Sequence, residues 1–210
     1  MRDLVIIGCG GFGRETSDVV AAVNASSPRW NLLGFLDDTP SEENLARVRR
    51  LGLEVIGTVA DAHTLTGAAY VIGVGSGRAR ESIASQLDDA GLEAVTLIHP
   101  SATIGSDTSV GPGAVVCAQA SITTNVVIGR HVHVDRGSTV GHDSTLDDYA
   151  TMHPLSCLSG SVRLGARVQL GTHAVVLPGR SVGDDSVVGA AACVVHDVPA
   201  GATVKGVPAR

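Results

Sequence analysis

Residues 104–193 read, in sixes, IGSDTS VGPGAV VCAQAS ITTNVV IGRHVH VDRGST VGHDST LDDYAT MHPLSC LSGSVR LGARVQ LGTHAV VLPGRS VGDDSV VGAAAC, and Val194 opens the next six. The first letter of each block is aliphatic: Ile104, Val110, Val116, Ile122, Ile128, Val134, Val140, Leu146, Met152, Leu158, Leu164, Leu170, Val176, Val182, Val188 and Val194. A helix repeats every 3.6 residues and cannot keep a strict six-residue stripe on one face. Short strands joined by corners can. Three hexads then close a triangular coil, and a fixed period of this kind signals a solenoid. Each residue is expected above the one eighteen positions earlier, at about the 4.8 Å spacing of neighbouring strands. The aliphatic position points inward. The Gly that often follows it (105, 111, 129, 141, 165, 171, 183, 189) either relieves crowding or takes a positive φ near the corner. Composition agrees: the chain is 44% hydrophobic and 2% aromatic, as a narrow prism of Val, Ile, Leu and Ala requires. An ordinary β-sandwich would show varying strand lengths and turn signals instead.

Upstream, Leu4-Val5-Ile6-Ile7 reads as a buried strand running into Gly8-Cys9-Gly10-Gly11-Phe12-Gly13 and then a helix over about 14–24. This is GxGxxG in strand–turn–helix context, where the first N–H groups of a helix hold phosphate. A second strand over 32–36 ends in Asp37-Asp38, where carboxylates commonly accept hydrogen bonds from a ribose or base. A helix is expected over 41–51, short strands over 54–58 and 70–74, the turn Gly75-Ser76-Gly77, a helix to about 90, and a closing strand over 95–98. Residues 1–98 thus form a small Rossmann-like α/β domain and residues 99–210 an all-β coil. Three uses of the glycine turn stand open: NAD, a nucleoside diphosphate, or strand–helix packing alone. One mononucleotide-binding half, with no second domain to receive a hydride, favours the nucleoside diphosphate.

A formal charge of −6 and a pI near 5.7 carry no nucleic-acid footprint. No apolar run reaches the ~20 residues of a membrane span, and no secretory leader pattern opens the chain, so a cytoplasmic location is expected. Cys9, Cys117, Cys157 and Cys193 lack CxxC spacing and are expected as buried free thiols. Cys157 and Cys193 fall two coils apart, out of disulfide range.

Chemistry is expected at His142-Asp143. The eighteen-residue rule places Thr124 and Gly160 on either side of His142, both small, and Asp143 adjoins it. A histidine of this kind suits removal of a proton from an amine. Asp135 falls beneath His153, either a second functional couple or a surface pair worth little. His131, His133 and His173 are weaker candidates.

The whole chain, with its closing Val204-Lys205-Gly206-Val207-Pro208-Ala209-Arg210, resembles the hexapeptide-repeat sugar acetyltransferases of the NeuD/PglD-like family. The resemblance implies an N-terminal Rossmann-like domain followed by a left-handed parallel β-helix. It implies a homotrimer, with acetyl-CoA bound between neighbouring prisms and no metal. The activity implied is transfer of acetyl to the amine of a nucleotide-linked amino sugar. His142 would be general base, Asp143 its helper, and backbone N–H groups of a neighbouring coil would stabilise the oxyanion. It further implies donor contacts at Thr151, Thr172 and Ala190 along one edge of successive coils. Nucleotide-sugar contacts would fall at Gly10, Gly11, Phe12, Asp37, Asp38 and Gly75. The chain departs from the family at Asp135, where many members carry Asn; at Thr151, where others carry His; and at Phe12, where a sugar-contacting His is usual. Three other activities stand beside this one. A sugar O-acetyltransferase would use the same parts. A γ-type zinc enzyme would draw on the five histidines between 131 and 173, but lacks its close His pair. A non-catalytic trimeric scaffold would not need His142.

Overall fold

The computed structural model describes all 210 residues, in two compact units, Met1–Leu97 and Ile98–Arg210. No helix is long and apolar enough to cross a membrane.

The first unit is a five-stranded parallel sheet. Its elements are β1 (Arg2–Ile7), α1 (Gly11–Ser26), β2 (Trp30–Leu36), α2 (Glu42–Arg50), β3 (Val55–Gly57), β4 (Ala69–Ile72), α3 (Gly77–Asp89) and β5 (Glu93–Ala94). The strand order β3-β2-β1-β4-β5 reverses direction of growth between β1 and β4, and ligands of such sheets bind at the strand ends beside that point. Leu4 to Ile7, Phe35, Leu36 and Ala69 to Ile72 are buried, as apolar runs covered on both faces should be. Ser41 and Ser76 cap α2 and α3 through hydroxyls that accept the N–H groups of Asn44 and Ala79. A 3₁₀ turn over Val59–Thr64, which the apolar pattern does not signal, is held by a Thr58–Asp61 capping box.

The second unit is a coil of two-residue rungs on three parallel sheets of six, five and seven strands. Before the final turn each rung pairs eighteen residues on, as Ser121↔Thr139, Val127↔Thr145 and His133↔Thr151 illustrate. The inward residues from Val116 to Val194 form one buried column of Val, Ile, Leu and Met with Ala at the corners. The coil extends beyond the hexads at both ends. Leu97–Ile98 is its first rung rather than the closing strand of the α/β sheet, whose last strand is Glu93–Ala94. The final turn is two residues short, pairing Val187 with Thr203 and Val182 with Val198.

The glycines after the aliphatic positions relieve crowding and do not carry the positive φ. A Cβ on Gly105, Gly141 or Gly171 would lie 2.5–2.6 Å from backbone of the next coil. The left-handed residues come three places after each aliphatic one, from Asp107 through Asn125 and Asp143 to Ala191. Asn, Asp and His recur there because they tolerate that conformation better than most residues. The cysteines are free; Cys9 and Cys117 are buried, whereas Cys157 and Cys193 are only half-buried.

Candidate active site and nucleotide cleft

His142 and Asp143 form the corner between the rungs Thr139–Val140 and Thr145–Leu146. The His142 carbonyl accepts the Ser161 N–H at 2.7 Å and the Ser144 hydroxyl at 3.3 Å, so the next coil fixes the backbone beneath the ring. Asp143, at φ 59°, turns its carboxylate back on the imidazole. His142 Nδ1 lies 2.6 Å from Asp143 Oδ2, and both side chains are exposed, at 62% and 49%. Nδ1–H donating to this carboxylate leaves Nε2 with its lone pair, the tautomer a base requires. The ring lies over Gly160: a Cβ there would sit 2.5 Å from both Cε1 and Nε2. Glycine is therefore what lets the imidazole lie flat against the coil.

Asn125, one coil before, completes the arrangement. Its Nδ2 donates to Asp143 Oδ1 at 2.7 Å. The amide, then His142, hold the Asp143 carboxyl below the usual carboxylate range, so it is ionised throughout the neutral region. Sequence reasoning applied the eighteen-residue rule to His142 and not to Asp143; applied there, it names Asn125.

The remaining histidines are placed differently. His131 and His133 are buried, and His131 stacks on Tyr149 with ring centroids 5.5 Å apart. Asp135 is also buried, contrary to its expected place in a surface pair, and accepts the Arg136 N–H at 2.7 Å. Of the expected donor residues, Thr172 and Ala190 stack at one corner in successive coils, with the Ala191 N–H donating to the Thr172 carbonyl at 2.8 Å. Thr151 does not share that edge: the register pairs it with Gln169, on a flat face, and it is buried.

In the first unit the glycine turn divides by function. Gly8 has φ +90°, and a Cβ on Gly13 would lie 1.9 Å from the Gly8 carbonyl oxygen. Those two close the turn. Gly10, Gly11 and Gly75 have no atom within 4 Å of an added Cβ, so packing does not demand glycine there. Gly10 is the N-cap of α1 without a side-chain cap, and the first turn carries no acid, so its N–H groups suit an anion. Phe12 lies in that first turn.

Asp37 Oδ2 accepts the Cys9 N–H at 2.8 Å and Oδ1 the Thr39 N–H at 3.0 Å, tying β2 to the glycine turn. Burial raises the Asp37 carboxyl, but the Cys9 and Thr39 bonds outweigh it and leave it below the ordinary range. The neighbouring Cys9 thiol is pushed up to about 11 by burial and by Asp37. Asp38 Oδ1 accepts the Val59 N–H at 2.8 Å. Asp37 and Asp38 share a cleft of about 170 Å³ with Gly8, Thr39, Val59, Val74 and Ile83. Gly11 lines a separate hollow of about 350 Å³ with Arg14, Arg47 and Arg50. Two arginines that motif reading passes over hold the backbone of the two glycine turns. Arg14 Nη1 donates to the Cys9 carbonyl at 2.7 Å and to Asn44 at 2.8 Å. Buried Arg80 donates to the Val74 and Gly75 carbonyls at 3.0 and 2.8 Å.

Residues 3–87 match the model of the PglD N-terminal domain. A GDP-perosamine N-acetyltransferase of Escherichia coli O157:H7 is 30% identical over 216 residues, covering 98% of this chain and 94% of the relative. The chain belongs to the PglD-like hexapeptide-repeat sugar acetyltransferases. Solved structures of this family superpose along the whole chain. PerB from Caulobacter crescentus, in complex with CoA and GDP-perosamine, is 31% identical with a TM-score of 0.87, covering all of this chain and 97% of PerB. The acetyltransferase domain of PglB from Neisseria gonorrhoeae FA1090, in complex with acetyl coenzyme A, is 32% identical with a TM-score of 0.87, covering all of this chain and 98% of that domain. The architecture of this PglD-like chain is thus a Rossmann-like domain followed by a left-handed parallel β-helix, the handedness being an exception to the right-handed crossover of ordinary parallel sheets.

Proposed function

We propose that this chain transfers an acetyl group from acetyl-CoA to the amino group of a nucleotide-linked amino sugar, with His142 as general base. The observation that carries the reading is the His142 Nδ1–Asp143 hydrogen bond of 2.6 Å on a ring whose side chain is 62% exposed. An amine at neutral pH is mostly protonated and unreactive. That proton is released to solvent; the nitrogen lone pair then attacks the thioester carbonyl while His142 Nε2 takes a second proton from the nitrogen. As the C–N bond forms and the tetrahedral adduct collapses, the C–S bond breaks, and the proton passes to the CoA sulfur. A positioned base contributes ~10²–10⁴-fold to such a step. Asp143, ionised, orients the ring and stabilises its cationic form.

The diphosphate handle binds at the N-terminus of α1, over Gly10, Gly11 and Phe12, beside Gly75. Its nucleoside lies against Asp37 and Asp38. Asp38 is exposed, and its second oxygen is free to accept a hydroxyl or a base N–H. Support comes from the open space at the three glycines and from the E. coli and Caulobacter relatives, whose names give GDP-perosamine as substrate or ligand. Acetyl-CoA lies along the prism at Thr172 and Ala190, in a cytoplasmic homotrimer.

The test is turnover of acetyl-CoA with a panel of GDP-, UDP- and TDP-linked amino sugars, read as thiol release. One handle should support turnover, and His142→Asn should reduce kcat at least about 100-fold. Near-normal activity in His142→Asn refutes the base assignment. Stabilisation by NAD alone in a ligand-dependent melting series would refute the handle.

A further inference from the structure

Asp107, Asn125 and Asp143 occupy the same left-handed corner in three successive coils, at φ 55, 55 and 59°. Aspartate fits the backbone at this corner, since it stands there in the coils on either side. The middle residue differs from its neighbours in one atom: an NH₂ in place of a carboxylate oxygen. That NH₂ donates to Asp143 Oδ1 at 2.7 Å, while Asp143 Oδ2 serves His142 at 2.6 Å. We propose that Asn125 is a positioning residue for the acetyl transfer, the donor that divides the two oxygens of Asp143 so that one is locked and the other is aimed at the imidazole. The inference rests on the His142–Asp143 reading given above.

The chemistry of the corner explains why an amide is needed. An aspartate at 125 would set three carboxylates in one column at coil spacing, and the nearest pair would compete for one proton. A proton shared with Asp143 removes the charge that orients the imidazole. The charged and titratable groups around this point are Asp107 before it, Asp143 after it, and His142 beside Asp143. The other neighbours are hydroxyls, Ser106 and Thr124, which bond to one another at 3.1 Å, and Ser161 in the following coil. Asn125 itself is fixed by its backbone, its N–H donating to the Ser106 carbonyl at 3.1 Å.

The experiment compares Asn125→Asp, Asn125→Ala and His142→Asn by kcat, KM for each substrate, and the pH dependence of kcat. Asn125→Asp keeps the shape and the backbone preference of the corner. It is expected to lower kcat near pH 7 by roughly 10- to 100-fold, a part of what a general base contributes. It is also expected to move the acidic limb of the profile to higher pH, with KM for acetyl-CoA and the melting temperature unchanged. Asn125→Ala removes the donor without adding charge, so kcat should fall while the limb stays. It also serves should the aspartate variant not fold. Wild-type kcat and limb in both variants, beside an inactive His142→Asn, would overturn this inference alone. Full activity in His142→Asn would overturn the dyad reading and this inference with it.

Discussion

Replacing Gly160 with Ala adds one methyl group directly beneath the imidazole of His142. The new Cβ would lie 2.5 Å from both Cε1 and Nε2. Comfortable carbon contacts lie near ~3.5–4.0 Å, so the ring has to withdraw by about 1–1.5 Å. Solvent is the direction open to it, because the side chain is already 62% exposed. Gly160 does not sit at positive φ, and alanine is backbone-compatible there. Such replacements leave stability unchanged or raise it by about 0.4–1 kcal/mol through the unfolded chain. Catalysis should respond quite differently, since a ~1 Å misplacement of a reacting group costs on the order of 10²-fold. The assay is thiol release from acetyl-CoA with the accepted amino sugar, alongside a melting curve. Expected are a kcat about 100-fold below wild type and an unchanged or slightly higher Tm. In the His142→Asn background the same change should add little, because both act on one group. Wild-type kcat in Gly160→Ala would refute the claim that the ring's seat over the coil sets the rate.

The glycine turn gives a paired prediction: Gly13→Ala, whose Cβ meets the Gly8 carbonyl oxygen at 1.9 Å, should fail to fold or lose most of its stability, while Gly11→Ala, in open space, should keep its Tm and weaken nucleotide binding in a calorimetric titration. Asp37→Asn should cost about 1–3 kcal/mol in urea unfolding at pH 6, by leaving an N–H of the glycine turn facing a donor. Because the folded carboxyl titrates below its ordinary 3.8, its contribution is whole above that pH and fades as the pH falls; the gap between variant and wild type should narrow at pH 3, and an equal gap would count against the assignment. The Cys9 thiol, raised from 9.0 to about 11, favours the folded state below pH 9 and loses that contribution between pH 9 and 11; alkylation at pH 8.5 followed by peptide mass mapping should mark Cys157 and Cys193 well before Cys9.

The coil was legible because one physical demand, an inward aliphatic side chain at every sixth place, recurs in each unit. The same arithmetic would have reached Ile98, six before Ile104, had the apolar run at 95–98 not also fitted a closing strand of the α/β sheet; two-residue rungs and short edge strands look alike in sequence. The final turn was illegible for the opposite reason: its spacing drops to sixteen, and period counting stops where the period does. The position of the left-handed residues stays open in the sequence because glycine has two uses, close approach and positive φ, which the sequence alone does not separate. The burial of Asp135 is not legible, because the place after an inward residue is exposed at Thr123 and buried at Cys117 and Asp135.

The active corner shows how a repeat acquires a site without breaking its own rule. Each coil offers the same left-handed corner, and the eighteen-residue register sets successive corner side chains on one another. Elsewhere that contact serves packing, as where His131 lies on Gly113 and stacks on Tyr149, or an ion pair, as between Arg167 and Asp185. At residues 125, 143 and 160 the choices are polar above and absent below: an amide that fixes a carboxylate, a carboxylate that fixes an imidazole, and a glycine that gives the ring its seat. None of the three requires a departure from the backbone of the neighbouring coils. The fold therefore bears little strain for the site, and changes such as Asn125→Asp and Gly160→Ala can be read as changes in chemistry against a nearly constant structure.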